Sequence, residues 1–271
     1  LFPQAPKAHG MLQKLERRWS YALGAIAVVA LCATLAIVYG VPIAAKHVAY
    51  ALPPEMEGEV GSQTLAAIDK MCAKSALSDR RQQEIREGLA KLTAGLEGTY
   101  RIEFRSCGID IGPNAFALPG AIIVVTDDIV TLAQTPAELS SVLAHEVGHV
   151  LHRHSTRQAL QAAGVAALVT ALAGDAVSIT GLAAAVPTVL LESGYSRRFE
   201  EEADDFAFRR MKEVGLSPRD FARMMGRLED VEARRHGDSK AKAETRVLDY
   251  LSSHPATRKR IERALAADGG Q

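Results

Sequence analysis

Cysteine is scarce in this sequence, three in 271 residues, and that excludes a small fold stapled by a disulfide framework. An excess of either charge is also missing: 32 Lys and Arg balance 32 Asp and Glu. Nucleic-acid binders and acidic solvating tails both need a field of one sign, so both classes are set aside. Internal repeats are absent. Hydrophobic residues reach 48% and charged residues 24%, which excludes global disorder and leaves room for a sizeable core in one or two domains.

The first feature present is a long apolar run. From Trp19 to Ala45 no residue is charged, and about 20 apolar residues in a helix cross a bilayer core. Trp19 and Tyr21 stand at one end and Tyr39 near the other, where aromatic rings favour the membrane interface. A buried core helix rarely runs so long without a charge. Ala49-Tyr50-Ala51 resembles a signal-peptide cleavage site, but the run is too long for a usual h-region, so the segment reads as an anchor. Lys7, Lys14, Arg17 and Arg18 precede it, whereas Glu55, Glu57 and Glu59 come soon after Lys46. The positive-inside rule then keeps residues 1–18 in the cytoplasm and exports the chain beyond residue 46. The chain opens on Leu1 rather than a methionine, so further residues upstream are an expectation.

The remainder divides into a linker over 46–61, marked by Pro53, Pro54, Gly58 and Gly61, and a domain over 62–267. Helical spacing runs through 62–73 and 79–96. Tyr100, Ile102 and Phe104 alternate with charged residues as a half-buried strand, Pro113 to Gly120 reads as a loop, and Ala121 to Thr126 as a second strand. Thr135-Pro136 with Glu138 is a capping box, and the spacing carries its helix to about Arg157. The apolar pieces of 160–191 are each too short to span a bilayer and read as a helical hairpin packed on the domain. Ser217-Pro218 opens a helix to about Arg235, 236–243 is a polar loop, and 255–267 is a terminal helix. The fold class is mainly α with a small β-sheet (α+β).

His145-Glu146-Val147-Gly148-His149 lies within the helix that opens at Pro136. Residues i and i+4 are offset by about 40° around a helix, so both imidazoles project from one face. Such a pair binds one Zn²⁺, and Glu146 can reach a water there as general base. An HExxH arises by chance in a chain this long on the order of once in a hundred, so a third ligand is needed. The metzincin continuation fails: His152 stands where Gly belongs and Ser155 where the third His belongs. His152 lies about 10 Å along the axis from His145, and both His152 and His154 read as solvated surface residues. A carboxylate must come from elsewhere, and Glu200-Glu201-Glu202-Ala203-Asp204 offers one. Spacing alone does not choose among the three glutamates, but the ExxxD pairing selects Glu200 as ligand, with Asp204 accepting the free N–H of a ligand imidazole.

With these residues the chain resembles the M48 zinc metallopeptidases, the group of HtpX-, Ste24- and OMA1-like proteases, and within it the single-anchored bacterial type. The matching pieces, in the family's order over about 55–267, are Asn114-Ala-Phe-Ala-Leu-Pro-Gly120, His145 to His149, Ser196 to Asp204, and Ser253-His254-Pro255. The resemblance implies a zincin-like peptidase domain behind one transmembrane helix and one Zn²⁺ per chain held by His145, His149 and Glu200. It further implies Glu146 as catalytic base, Asp204 as supporting acid and His254 as a catalytic donor to the oxyanion. An extended substrate is expected along an edge strand made of Ala121, Ile122, Ile123, Val124 and Val125. The implied partners are unfolded or misfolded polypeptides and the membrane, with the domain outside the cell's inner membrane. No nucleic acid is implied, and the oligomeric state is left open. The competing class is a membrane-anchored chaperone or scaffold with a structural or vestigial zinc site; a zinc hydrolase acting on non-peptide bonds is a third. Cys72 and Cys107 would share an oxidising space, yet free thiols are the default expectation.

Overall fold

The computed structural model describes residues 8–173, 179–192, 194–238, 250–255 and 258–269; the tip of the apolar hairpin and most of the expected loop 236–243 fall outside them. A helix α1 (Ala8–Leu35) passes through one π-helical turn (Ala36–Gly40) into α2 (Val41–Ala51). Tyr21–Ala51 is a single stretch long and apolar enough to cross a membrane, and its most apolar window has no buried residue. The expected linker is mostly helical: α2 reaches Ala51 and α3 (Pro54–Ile68) starts at once, with Pro54 in its first turn. The glycines that suggested a linker serve packing. A Cβ on Gly61 would stand 1.9 Å from the Pro119 carbonyl oxygen, so only glycine lets α3 lie against the loop after β3.

Next come β1 (Ala73–Lys74), α4 (Asp79–Thr93), β2 (Arg101–Ser106), α5 (Gly108–Ile111), β3 (Ala115–Leu118) and β4 (Ile122–Thr126). The four strands form one sheet in the order β1-β2-β4-β3, parallel between β2 and β4 and antiparallel elsewhere. Two expectations are corrected by this sheet. The segment read as a loop, Pro113 to Gly120, contains β3. The strand read as an edge, Ala121 to Val125, is β4 and its approach, and β4 is paired on both sides, so its backbone has no free hydrogen-bonding side. The edge strands are β1 and β3, and β3 is the one beside α7. The uninterrupted Ile-Ile-Val-Val run of β4 fits a strand buried on both faces: Ile123 and Val125 join the main core, while Ile122 and Val124 meet Leu65 and Ile68 of α3. Cys72 and Cys107 are joined by a disulfide, against the expectation of free thiols, and among the described residues Cys32 is the free cysteine.

Helices build the rest: α6 (Asp127–Leu132), α7 (Pro136–Leu151), α8 (His154–Ala173), α9 (Ile179–Glu192), α10 (Arg197–Glu213), α11 (Arg219–Asp238), α12 (Tyr250–Ser253) and α13 (Arg258–Gly269). Thr135 caps α7 by accepting from the Glu138 N–H at 3.1 Å, while the Glu138 carboxylate reaches back to the Gln134 N–H at 2.8 Å. The α7 helix does not continue to Arg157. It stops at Leu151, and Arg153 takes a left-handed φ of 51°. That turn aims the Arg153 guanidinium at the end of α2, where it donates to the carbonyls of Ala49 (2.6 Å) and Leu52 (3.3 Å). These carbonyls stand at the helix end, where regular donors run out; Ala49 otherwise accepts a long 3.4 Å bond from the Leu52 N–H. The α8 and α9 helices pack on each other, α8 along α2 and α9 against α3.

Candidate active site

The α7 and α10 helices are the most extensively packed pair in the fold, and Gly148 makes their approach close. A Cβ there would stand 2.9 Å from the Cα of Ala203. Ser196 caps α10 by accepting from the Phe199 N–H, and the i, i+4 spacing then turns Glu200 and Asp204 toward α7. His145, His149, Glu200 and His254 converge, each offering one ligand atom, all within 4.8 Å of one another and all buried. Nε2 of His145 is 2.9 Å from Nε2 of His149 and 3.4 Å from Glu200 Oε2. Nε2 of His149 is 3.3 Å from Glu200 Oε1. Tetrahedral ligands at the usual zinc bond lengths lie about 3.3 Å apart.

The outer nitrogens decide the protonation of these rings. His145 Nδ1 faces Asp204 Oδ1 at 3.0 Å. His149 Nδ1 is 3.0 Å from His154 Nδ1, and His154 Nε2 is 3.0 Å from Glu202. An acceptor therefore waits outside each ring, which places a proton on each Nδ1. Both Nε2 atoms then carry lone pairs 2.9 Å apart beside a carboxylate, with one long 3.4 Å contact from the Arg260 guanidinium to His145 Nε2, an arrangement that a bound cation completes. The donor set fits a divalent metal held by nitrogen and oxygen.

His154, expected on the surface, is wholly buried and forms half of this support; it stacks on Phe199 at 4.3 Å. Burial pushes its pKa down to about 4, against an ordinary value of about 6.5. The unfolded chain thus takes up a proton below about pH 6.5 that the folded chain refuses, so stability is lost as pH falls from there toward 4. Between pH 7 and 5 the metal-stripped protein is expected to lose about 2 kcal/mol through this group. Urea titrations at both pH values check this, and His154→Gln should flatten the dependence.

Arg260, on α13, has no counterpart among the residues expected from the sequence. Its guanidinium holds Asp204 through two bonds, 2.9 and 2.8 Å, and reaches Glu200 Oε2 at 2.6 Å. Burial opposes charge on Glu200, yet His254 and His145 beside it bring its carboxyl well below the usual range. Glu146 is wholly buried, and burial pushes it up to about 7. His254, at the end of α12, places Nδ1 3.0 Å from Glu200 Oε1. Its Nε2 lies 3.5 Å from Glu146 and makes no hydrogen bond among the described residues. A groove of about 700 Å³ leads from His149 past Leu118–Ala121 to Tyr50 and Glu57 at the foot of the apolar helix.

The region that builds this cluster is shared with known proteins. The profile described as Peptidase family M48 matches residues 77–268, well over half of the chain. The chain belongs to peptidase family M48. Among curated relatives of this M48 chain, the mitochondrial metalloendopeptidase OMA1 of Schizosaccharomyces pombe is 28% identical over 158 residues, 57% of this chain and 43% of the relative. The metalloprotease LoiP of Escherichia coli is 28% identical over 163 residues, 58% of this chain and 60% of LoiP. A putative beta-barrel assembly-enhancing protease of Vibrio cholerae is 33% identical over 127 residues, 43% of this chain and 26% of the relative. The matches thus span less than two thirds of each of these relatives. M48 members are metal-dependent peptidases, and the matched region contains all four residues of the buried cluster.

Proposed function

We propose that this M48 chain is a membrane-anchored zinc endopeptidase that cleaves unfolded or misassembled polypeptides. The observation that carries the reading is the pair of lone-pair nitrogens and one carboxylate oxygen converging beside a buried glutamate. His145, His149 and Glu200 would hold the ion. A zinc ion held there would supply Lewis acidity toward the scissile carbonyl and a bound water. Glu146 takes the water's proton and returns it to the leaving amine; a pKa near 7 suits both halves of that transfer. The Nε2 of His254 would face the developing oxyanion; with Nδ1 donating to Glu200, it donates there in the doubly protonated ring. Asp204 fixes the tautomer of His145, and His154 with Glu202 does the same for His149.

The outer edge of β3, unpaired with any strand, is the docking line for an extended chain, because backbone pairing binds unfolded segments with little regard to sequence. The apolar helix Tyr21–Ala51 is the anchor, in the inner membrane of a bacterial cell. The basic N-terminal flank and the Cys72–Cys107 disulfide both favour an extracytoplasmic, periplasmic domain, since disulfides persist in oxidising compartments.

Unfolded casein incubated with the purified protein tests the activity. Cleavage is expected, with loss on chelation and recovery on adding zinc; cleavage that persists in chelator rules the reading out. Glu200→Ala is expected to weaken metal affinity by more than about 100-fold, beyond the range of supporting residues. Glu201→Ala should retain a full equivalent by emission spectrometry.

A further inference from the structure

The β3 edge that should receive substrate is already occupied. Thr126 N–H donates to the Asn114 carbonyl at 3.0 Å, and the β3–β4 register pairs Ala115 with Val125 and Ala117 with Ile123. Alternation along an antiparallel strand then turns the backbone groups of Ala115 and Ala117 outward. The N–H of Ala115 donates to the Asn114 side chain at 2.7 Å. The N–H of Ala117 points away from β4 by the same alternation. The Ala117 carbonyl accepts from two hydroxyls at once: Ser155, at the start of α8, in a short contact, and Tyr195 at 3.2 Å. The two hydroxyls lie 2.7 Å apart. Tyr195 comes from the segment before α10; its ring stacks on His149 at 4.0 Å, and its N–H donates to the Ser253 carbonyl. One aromatic side chain therefore touches the edge strand and a proposed metal ligand.

We infer that Ser155 and Tyr195 are positioning residues whose hydroxyls stand in for a substrate N–H on the Ala117 carbonyl, and that an extended polypeptide docks by exchanging its own N–H for them. This rests on the β3 docking line proposed above. A carbonyl left bare in a closed site would forfeit a hydrogen bond, so the hydroxyls keep it satisfied until a chain arrives. The exchange imposes a chemical demand on the ligand. The residue opposite Ala117 must carry an N–H, so proline or an N-methylated residue fails there, whatever the side chains.

The test uses full-length protein in detergent, stripped of metal, and a fluorescein-labelled peptide of alternating valine and lysine read by anisotropy. Ser155→Ala, Tyr195→Phe and the double variant remove the hydroxyls, and the phenylalanine keeps the ring on His149. The double variant is expected to bind the peptide about 3- to 10-fold more tightly, the range of one or two neutral hydrogen bonds. A series of peptides N-methylated at single positions should contain one that gains nothing from the variants. Unchanged or weaker binding by variants whose melting temperature is unaltered overturns the exchange; if the double variant does not fold, the Ser155→Ala protein decides alone, by the same criterion. Casein cleavage by the metal-loaded wild type is measured in parallel. Cleavage without tighter binding by the variants sinks the exchange alone. Tighter binding without cleavage keeps the exchange and sinks the peptidase reading.

Discussion

Glu146→Gln is expected to lower kcat for casein or a peptide substrate by at least about 10³-fold, within the span measured for positioned acid–base groups. Gln keeps the size and polarity of the side chain, so the α7–α10 contact and the metal donors are undisturbed. What disappears is a group able to accept a proton. Burial of Glu146, wholly enclosed and with its pKa raised to about 7, makes this loss large, since bulk water has little access to replace it as base. Bound metal, measured by emission spectrometry, should remain at one equivalent. A variant that cleaves at the wild-type rate refutes the role, and one that has lost its metal shows that Glu146 helps hold the ion.

Arg260→Ala is expected to cost stability on a comparable scale. The guanidinium is buried and neutralises two carboxylates that are themselves buried, Asp204 through a two-bond fork and Glu200 at 2.6 Å. Removing one partner of a buried pair leaves an uncompensated charge, typically about 3–5 kcal/mol. Chemical denaturation should therefore show a loss of about 3–5 kcal/mol in the metal-stripped protein. With metal bound the loss should be smaller, because the cation supplies positive charge to Glu200. Arg260→Lys restores the charge without the fork and is expected to recover part of the stability. Equal losses with and without metal would separate Arg260 from the ion.

The parts of the site legible in the sequence are those fixed by one helix at a time. His145, Glu146 and His149 share a face because of the α-helical period, and Glu200 and Asp204 do so for the same reason. The capping box at Thr135 is equally local. What escaped depends on contacts between distant segments. Arg260 lies in an ordinary basic stretch, and nothing nearby says that its guanidinium turns inward to Asp204. His154 looked solvated because the helix was extended to Arg157; the left-handed turn at Arg153 redirects it behind His149. The edge strand was misplaced by one hairpin arm, since a β-branched run marks burial on two faces while the short Ala-Phe-Ala-Leu segment forms the open side. Gly58 and Gly61 have the composition of a loop but sit in α3, a helix that packs closely on the segment after β3.

The turn at Arg153 has a mechanical consequence. Its guanidinium joins the helix that carries both imidazoles to the last carbonyls of the apolar helix, with no slack segment between them. With that helix seated in lipid, the cleft is stationed at a fixed height instead of swinging on a leash. On the proposed anchoring its reach would be a thin layer above the headgroups, and a polypeptide would be exposed to it by where it lies as much as by what it contains.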